Sequence, residues 1–180
     1  MKNMWKELET GRDAPRIVNA IIENPRRTEN KYEYDVEKGE IVLDRVLHTA
    51  VHYPGDYGFL PRTFDEDGDP TDILVLVTNP TFPGCIMEAR PIGILKMLDS
   101  GQRDDKILGV PLRDPRYEGY RDIDDVPSHI LNEISHMFEV YKELEGDKVV
   151  DTKGWFGREE AKDSILEAKE LFREKFVDRE

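Results

Sequence analysis

A single cysteine, Cys85, among 180 residues rules out a disulfide within the chain and a thiolate zinc site. Long apolar runs are missing too: stretches such as Ile73-Leu74-Val75-Leu76-Val77 fall far short of a membrane span, and the first residues hold no signal-peptide core. A soluble, cytoplasmic protein with no membrane partner is expected. Positive charge is scarce, since 26 Lys and Arg face 39 Asp and Glu for a formal net charge of −13. With no basic stripe to receive a polyanion backbone, nucleic acid is not an expected partner. There is no internal repeat, no glycine-rich nucleotide fingerprint, and no Ser-His or Cys-His nucleophile pattern. What remains, at 38% hydrophobic residues, is enough for one domain with a real core. We expect residues 1–180 to form that single domain, with residues 1–15 as an amino-terminal arm.

What the chain does have is acid, concentrated in turns. Asp65-Glu66-Asp67-Gly68-Asp69-Pro70-Thr71-Asp72 runs directly into the apolar segment 73–77. Gly68 and Pro70 make the acidic part a tight turn, and the Val- and Ile-rich run that follows suits a buried strand. A solvated loop is the plain alternative for any acidic cluster. An EF-hand is excluded, because counting from Asp65 places Gly68 fourth and Leu76 where the bidentate Glu should stand. The pattern then repeats: the apolar segment 92–98 ends in Asp99, Asp104 and Asp105, followed by Lys106 and a further apolar run. Two such turns at neighbouring strand ends can share hard cations such as Mg²⁺, which prefer carboxylate oxygen.

The complementary cations lie on strand-like segments. Glu23 ends the strand candidate 17–22, and Lys31 and Glu33 share one face of an alternating stretch with Tyr32 and Tyr34 on the other. Arg45 alternates with Ile41, Leu43 and Leu47, so its guanidinium needs an anion, either a protein carboxylate or a ligand phosphate. The Pro/Gly turn 53–58 can fix the phenols of Tyr53 and Tyr57 where they donate to an anion, although from the residues alone core packing is the default for each. It also stops any helix across His48 and His52, which are read as ordinary histidines. From Pro127 the period changes. Ile130, Leu131, Ile134, Met137, Phe138, Tyr141 and Leu144 mark an amphipathic helix with Gly146 as its stop, and Lys142 follows Tyr141 at the carboxyl end. A last helix from about 159 to 176 carries Ala161, Ile165, Ala168 and Phe172 on one face, with Trp155 and Phe156 as anchors between the two helices. Short strands followed by two helices argue for a small β-barrel or strongly bent sheet capped by helices.

Carboxylates on two turns, isolated Lys and Arg, and turn-held tyrosines suit metal-assisted attack of water on a phosphoanhydride. Several ordered motifs resemble the soluble inorganic pyrophosphatases of family I. They are Asp67-Gly68-Asp69-Pro70-Thr71-Asp72, Lys31-Tyr32-Glu33, Leu43-Asp44-Arg45, Tyr53-Pro54-Gly55-Asp56-Tyr57-Gly58, Arg90-Pro91-Ile92-Gly93, Lys96-Met97 with Asp99, and Phe138-Glu139-Val140-Tyr141-Lys142. The similarity spans about residues 16 to 172.

The resemblance implies an α+β, mainly β fold: an OB-type five-stranded barrel with flanking strands and two helices. It implies that Asp67, Asp72, Asp99 and Asp104 coordinate several Mg²⁺ ions per site, with Glu23 and Glu33 acting largely through the ions' water shells. It gives Asp69 the role of orienting and deprotonating the attacking water. Arg45, Tyr141 and Lys142 would hold one phosphate, and Lys31, Tyr57 and Lys106 the other. Pyrophosphate and phosphate are the implied partners, and prokaryotic relatives suggest a homohexamer. Ser100 stands where many relatives carry Glu, which lowers the charge around the outer ions. The alternative activity is a metal-dependent phosphatase acting on nucleotides or other phosphoanhydrides.

Overall fold

Apolar strands buried on both sides need two layers of cover, and the chain supplies them with two helices. The computed structural model describes residues 3–146 and 149–178. A one-turn helix, α1 (Met4–Glu7), leads into strands β1 (Val18–Asn24), β2 (Asn30–Asp35), β3 (Glu40–Val46), β4 (Asp56–Phe59) and β5 (Asp72–Val75). The long strand β6 (Ile86–Asp99), the two-residue β7 (Gln102–Arg103) and β8 (Lys106–Pro111) follow. Helix α2 (Ser128–Val140), strand β9 (Val150–Gly157) and helix α3 (Arg158–Phe176) complete the order.

Five strands pair in a ring, β1–β4–β5–β8–β6 and back to β1, which is the OB-type arrangement expected. β1 meets β6 through Val18–Ile21 and β4 through Ile21–Asn24, so the ring is joined by consecutive short ladders and is not closed as a barrel. β7 and β9 flank β6, while β2 and β3 form a separate hairpin. β5 and β8 are parallel and the other pairings antiparallel.

Period-2 alternation sorts the strand side chains between the two layers. Leu74 and Leu76 join Ile92, Leu95, Met97 and Leu108 under Ile134, Met137 and Phe138 of α2. Ile73, Val75 and Val77 join Ile94 and Ile107 under Ala161 and Ile165 of α3. That is why these segments read as unbroken apolar runs. Ala161, Ile165, Ala168 and Phe172, the face expected of the last helix, are all buried.

Several expectations shift in detail. α2 ends at Val140, and a 3₁₀ turn, Glu143–Glu145, lies between it and Gly146, so Leu144 leaves the apolar stripe and is 66% exposed. Trp155 and Phe156, the expected anchors between the helices, pack against the two core layers, and they do so from a strand, β9, paired with Leu95 and Ile94. The expected amino-terminal arm, whose first two residues lie outside the described ones, is anchored: Trp5 is buried and donates its indole N–H to Thr63 O at 2.8 Å. Among the described residues no helix is long and apolar enough to cross a membrane.

Candidate active site

Both acidic turns are shaped by their own backbones before any ligand is considered. In the first, the Asp65 N–H donates to Asp69 O at 2.9 Å and the Gly68 N–H to Asp65 O at 3.1 Å. Gly68 sits at φ +104°, in the region that side-chain-bearing residues avoid, and the Asp69 N–H donates to the Asp67 carboxylate at 3.1 Å. In the second, Ser100 and Gly101 turn β6 into β7 after Asp99, and the Asp104 N–H returns to Met97 O at 3.0 Å. The parallel register of β5 and β8 places Asp72 directly opposite Lys106. Parallel neighbours present the same ends at one edge, so the two turns open side by side.

They share a cavity of about 480 Å³. Of the residues given a metal, catalytic or phosphate-binding role, all line it except Arg45: Asp67, Asp69, Asp72, Asp99 and Asp104 from the turns, Glu23 from β1, Lys31 and Glu33 from β2, Tyr57 from β4, Lys106 from β8, and Tyr141 and Lys142 from the end of α2; Tyr53 and Asp105 do not. Lys106 is 3% exposed, and its ammonium lies 2.5 Å from both Asp72 Oδ2 and Asp104 Oδ1. The rings of Tyr57 and Phe138 flank it at 5.9 and 5.8 Å. Lys142 pairs with Asp99, and Lys31 pairs with Glu33 and reaches Asp44 at 3.5 Å.

Charge in this cavity is unevenly compensated. Burial, then the Asp72 charge, pushes the Glu23 carboxyl up to about 8, although it accepts the Tyr34 N–H at 2.7 Å. Desolvation also raises Asp67 and Asp69, the second helped by Asp67, Asp72 and Asp104. Asp104 is raised by burial in spite of Lys106. Burial pushes Asp99 up as well, but the hydrogen bond and charge of Lys142, the Ser100 hydroxyl and the Lys106 charge together outweigh it, and the net shift is downward. For Lys106 the two carboxylates overrule burial and hold the ammonium charged. Burial raises Tyr57 and Tyr141, so both remain phenols that can donate to an anion.

These shifts test the fit to metal. Four carboxyls that hold their protons too tightly mark a site short of positive charge, and an all-oxygen donor set suits a hard divalent ion. Among the described residues no three potential ligands enclose one point as they stand. Lys106 fills the space between Asp72 and Asp104, and Lys142 covers Asp99.

Arg45 is the exception to the expected grouping. Its guanidinium forks onto Glu145 at 2.9 and 2.7 Å and pairs with Asp44, so the anion it needs is a protein carboxylate. The pairing of β2 with β3 slips between Lys31 and Tyr32, and Leu43, expected on an apolar face with Arg45, is 55% exposed. His48 and His52 line no part of the cavity. Asn24, Tyr34, Gln102 and Arg103 do, and the sequence reading gave them no role. Asn24 carried the clearest missed signal, as a polar residue beside Glu23 ahead of a proline. It is 1% exposed and holds the Tyr32 backbone through an N–H donated to its Oδ1 at 2.6 Å. Ser100 takes φ +51° in the hairpin turn and donates to Asp99 at 3.1 Å.

Comparison with known proteins gives one consistent result. Residues 20–173 match the family model described as inorganic pyrophosphatase. The chain is 50% identical over 177 residues to the inorganic pyrophosphatase of Haloferax volcanii, covering 98% of this chain and 100% of the relative. It is 52% identical over 146 residues to that of Geobacillus stearothermophilus, covering 81% and 88%. The crystal structure of inorganic pyrophosphatase from Thermus thermophilus superposes with a TM-score of 0.93 at 45% identity, over 96% of this chain and 99% of that one.

Proposed function

The chain belongs to the inorganic pyrophosphatase family, and on that premise we infer that its cavity hydrolyses pyrophosphate to two phosphates. The observation that carries this reading is the register of β5 against β8, which joins two acidic turns into one cavity faced by Lys31, Lys106 and Lys142. Asp67, Asp72, Asp99 and Asp104 are the residues we assign to Mg²⁺, with Glu23 and Glu33 behind them. Mg²⁺ bound there would supply positive charge against the diphosphate and lower the pKa of water.

The chain's own side chains account for the remaining work. Asp69 stands exposed on the cavity wall with its proton affinity raised by desolvation and its acidic neighbours, which makes it a better proton acceptor than a free carboxylate. It takes the proton of the attacking water as the new P–O bond forms and the bridging P–O bond breaks. Lys106 and Tyr57 from one wall, with Lys31, hold one phosphoryl group. Tyr141 and Lys142 hold the other, and Arg45 joins them once it leaves Glu145. Three ammonium groups and two phenols are thus shared between the two phosphoryl groups, and those on the departing one meet the charge that builds there, where fixed donors act most strongly.

We further propose that residues 1–180 act as one domain, that the protein works in the cytoplasm, and that it assembles as a homohexamer. Sedimentation equilibrium tests the last of these. The activity is tested by phosphate release from pyrophosphate and from ATP, each with Mg²⁺ and with a chelator. Pyrophosphate should be turned over far faster than ATP, and chelation should stop the reaction. Equal rates on both substrates would overturn the assignment in favour of a general phosphoanhydride phosphatase.

A further inference from the structure

A second cavity, of about 510 Å³, shares no lining residue with the first. It lies between the amino-terminal segment, Arg62 beyond β4, and the last turns of α3. In a chain of net charge −13 its charge is inverted: Lys6, Arg62, Lys169 and Arg173 line it against Glu9 alone. Arg173 is already compensated by Glu170 at 2.5 Å and Asp178 at 3.4 Å. Among the described residues, Lys6, Arg62 and Lys169 have no carboxylate partner. The Lys6 ammonium rests over Phe176 at 4.6 Å and Trp5 at 5.4 Å, and Arg62 Nε donates to the Lys6 carbonyl at 3.2 Å.

Arg62 is also held in an uncommon backbone state. Its φ is +50°, and its N–H is fixed on Trp5 O at 2.8 Å. A side-chain-bearing residue in that region is costly, and here it is held where a guanidinium joins the cavity wall. The apolar part of the lining comes from Phe172, which is buried, Phe176, and Val177, which is 55% exposed.

We propose that this cavity binds a small phosphomonoester with an apolar body, its phosphate between Lys6, Arg62 and Lys169 and its body against Phe172, Phe176 and Val177. The charge selects the head group. A phosphomonoester carries about −1.5 to −2 at neutral pH, whereas a single carboxylate would leave most of the three cations uncompensated, none of which pairs with a carboxylate among the described residues. The apolar wall selects against inorganic phosphate and pyrophosphate, which have nothing to set against it. The size suits a small molecule rather than a macromolecular segment. None of this depends on the hydrolytic reading of the first cavity.

The test is calorimetric titration of the full-length protein by phenylphosphonate, whose C–P bond does not hydrolyse, in chelator, which denies the first cavity the Mg²⁺ through which it would take a phosphate. Saturable binding at one site is expected, weakened by about tenfold or more in the double variant Arg62→Asn, Lys169→Gln. Asn tolerates the positive φ of position 62, so the variant should keep the parent's unfolding midpoint and its rate of pyrophosphate hydrolysis. Inorganic phosphate and benzoate should each bind more weakly than phenylphosphonate to the parent. Absence of saturable binding, equal affinity in parent and double variant, or benzoate binding as tightly as phenylphosphonate would each overturn the proposal.

Discussion

Replacing Lys106 with Met removes one charge while keeping the length of the side chain. The ammonium is 3% exposed and bridges Asp72 and Asp104 at 2.5 Å each, so its loss leaves two neighbouring carboxylates facing each other. Breaking a buried ion pair from one side costs about 3–5 kcal/mol. Asp72 and Asp104 keep 25% and 17% of their side-chain exposure, so water recovers part of the loss, and the lower figure of about 3 kcal/mol applies. For a chain of this size that is roughly 6–12 °C in midpoint. In chelator, thermal unfolding of Lys106→Met should therefore fall below the parent by that amount. Mg²⁺ should stabilise the variant more than the parent, because an ion can now take the vacated space; at about 100 times its Kd it would return about 2.7 kcal/mol. Hydrolysis should remain impaired, since the phosphate has lost a donor. A variant within about 1 kcal/mol of the parent in chelator, or one that gains no more from Mg²⁺ than the parent does, would refute the reasoning.

Asp69→Asn should lower kcat by about 10²–10⁴ with an unchanged unfolding midpoint, because it deletes a proton acceptor with little change of shape. An undiminished kcat would remove Asp69 from the role of base. Asp56 is fully buried, and its carboxylate accepts the Arg26 N–H at 2.8 Å, the Thr81 N–H at 3.0 Å and the Thr81 hydroxyl at 2.6 Å. Asp56→Ala orphans those donors and should cost about 3 kcal/mol in urea unfolding; a loss under about 1 kcal/mol would contradict this. Glu145→Gln weakens the fork on Arg45, so KM for pyrophosphate should fall several-fold at constant kcat. If steady-state kinetics show KM unmoved, Arg45 does not leave Glu145 to bind substrate.

The helices were legible because their apolar residues repeat with the turn of the helix, as the burial of Ala161, Ile165, Ala168 and Phe172 shows. The acidic turns were legible because Gly68 and Pro70 leave the backbone little else to do. What the sequence could not express was pairing at a distance. Nothing local says that β5 and β8 run parallel, yet that register sets Asp72 against Lys106. Nothing near Arg45 announces Glu145, a hundred residues on, and the bulge in the β2–β3 pairing displaces the simple alternation used to place its neighbours. Strand β9 was missed for a related reason: Asp151, Thr152 and Lys153 make its first half polar, and only pairing with Met97 and Leu98 makes it a strand.

Strand β6 lends its two sides to β1, β7, β8 and β9, and Gly93 stands where β8 and β9 grip it together. A methyl group at that position would come within 2.8 Å of Phe156 O and 2.7 Å of Ile123 Cδ1, two rungs from Lys106 in the adjoining ladder. A random-mutagenesis screen scored on phosphate release would thus return position 93 among its inactive clones, though it never meets the substrate. Such clones would betray themselves by poor recovery from the lysate, whereas losses at Asp69 would come with full yields of inert protein.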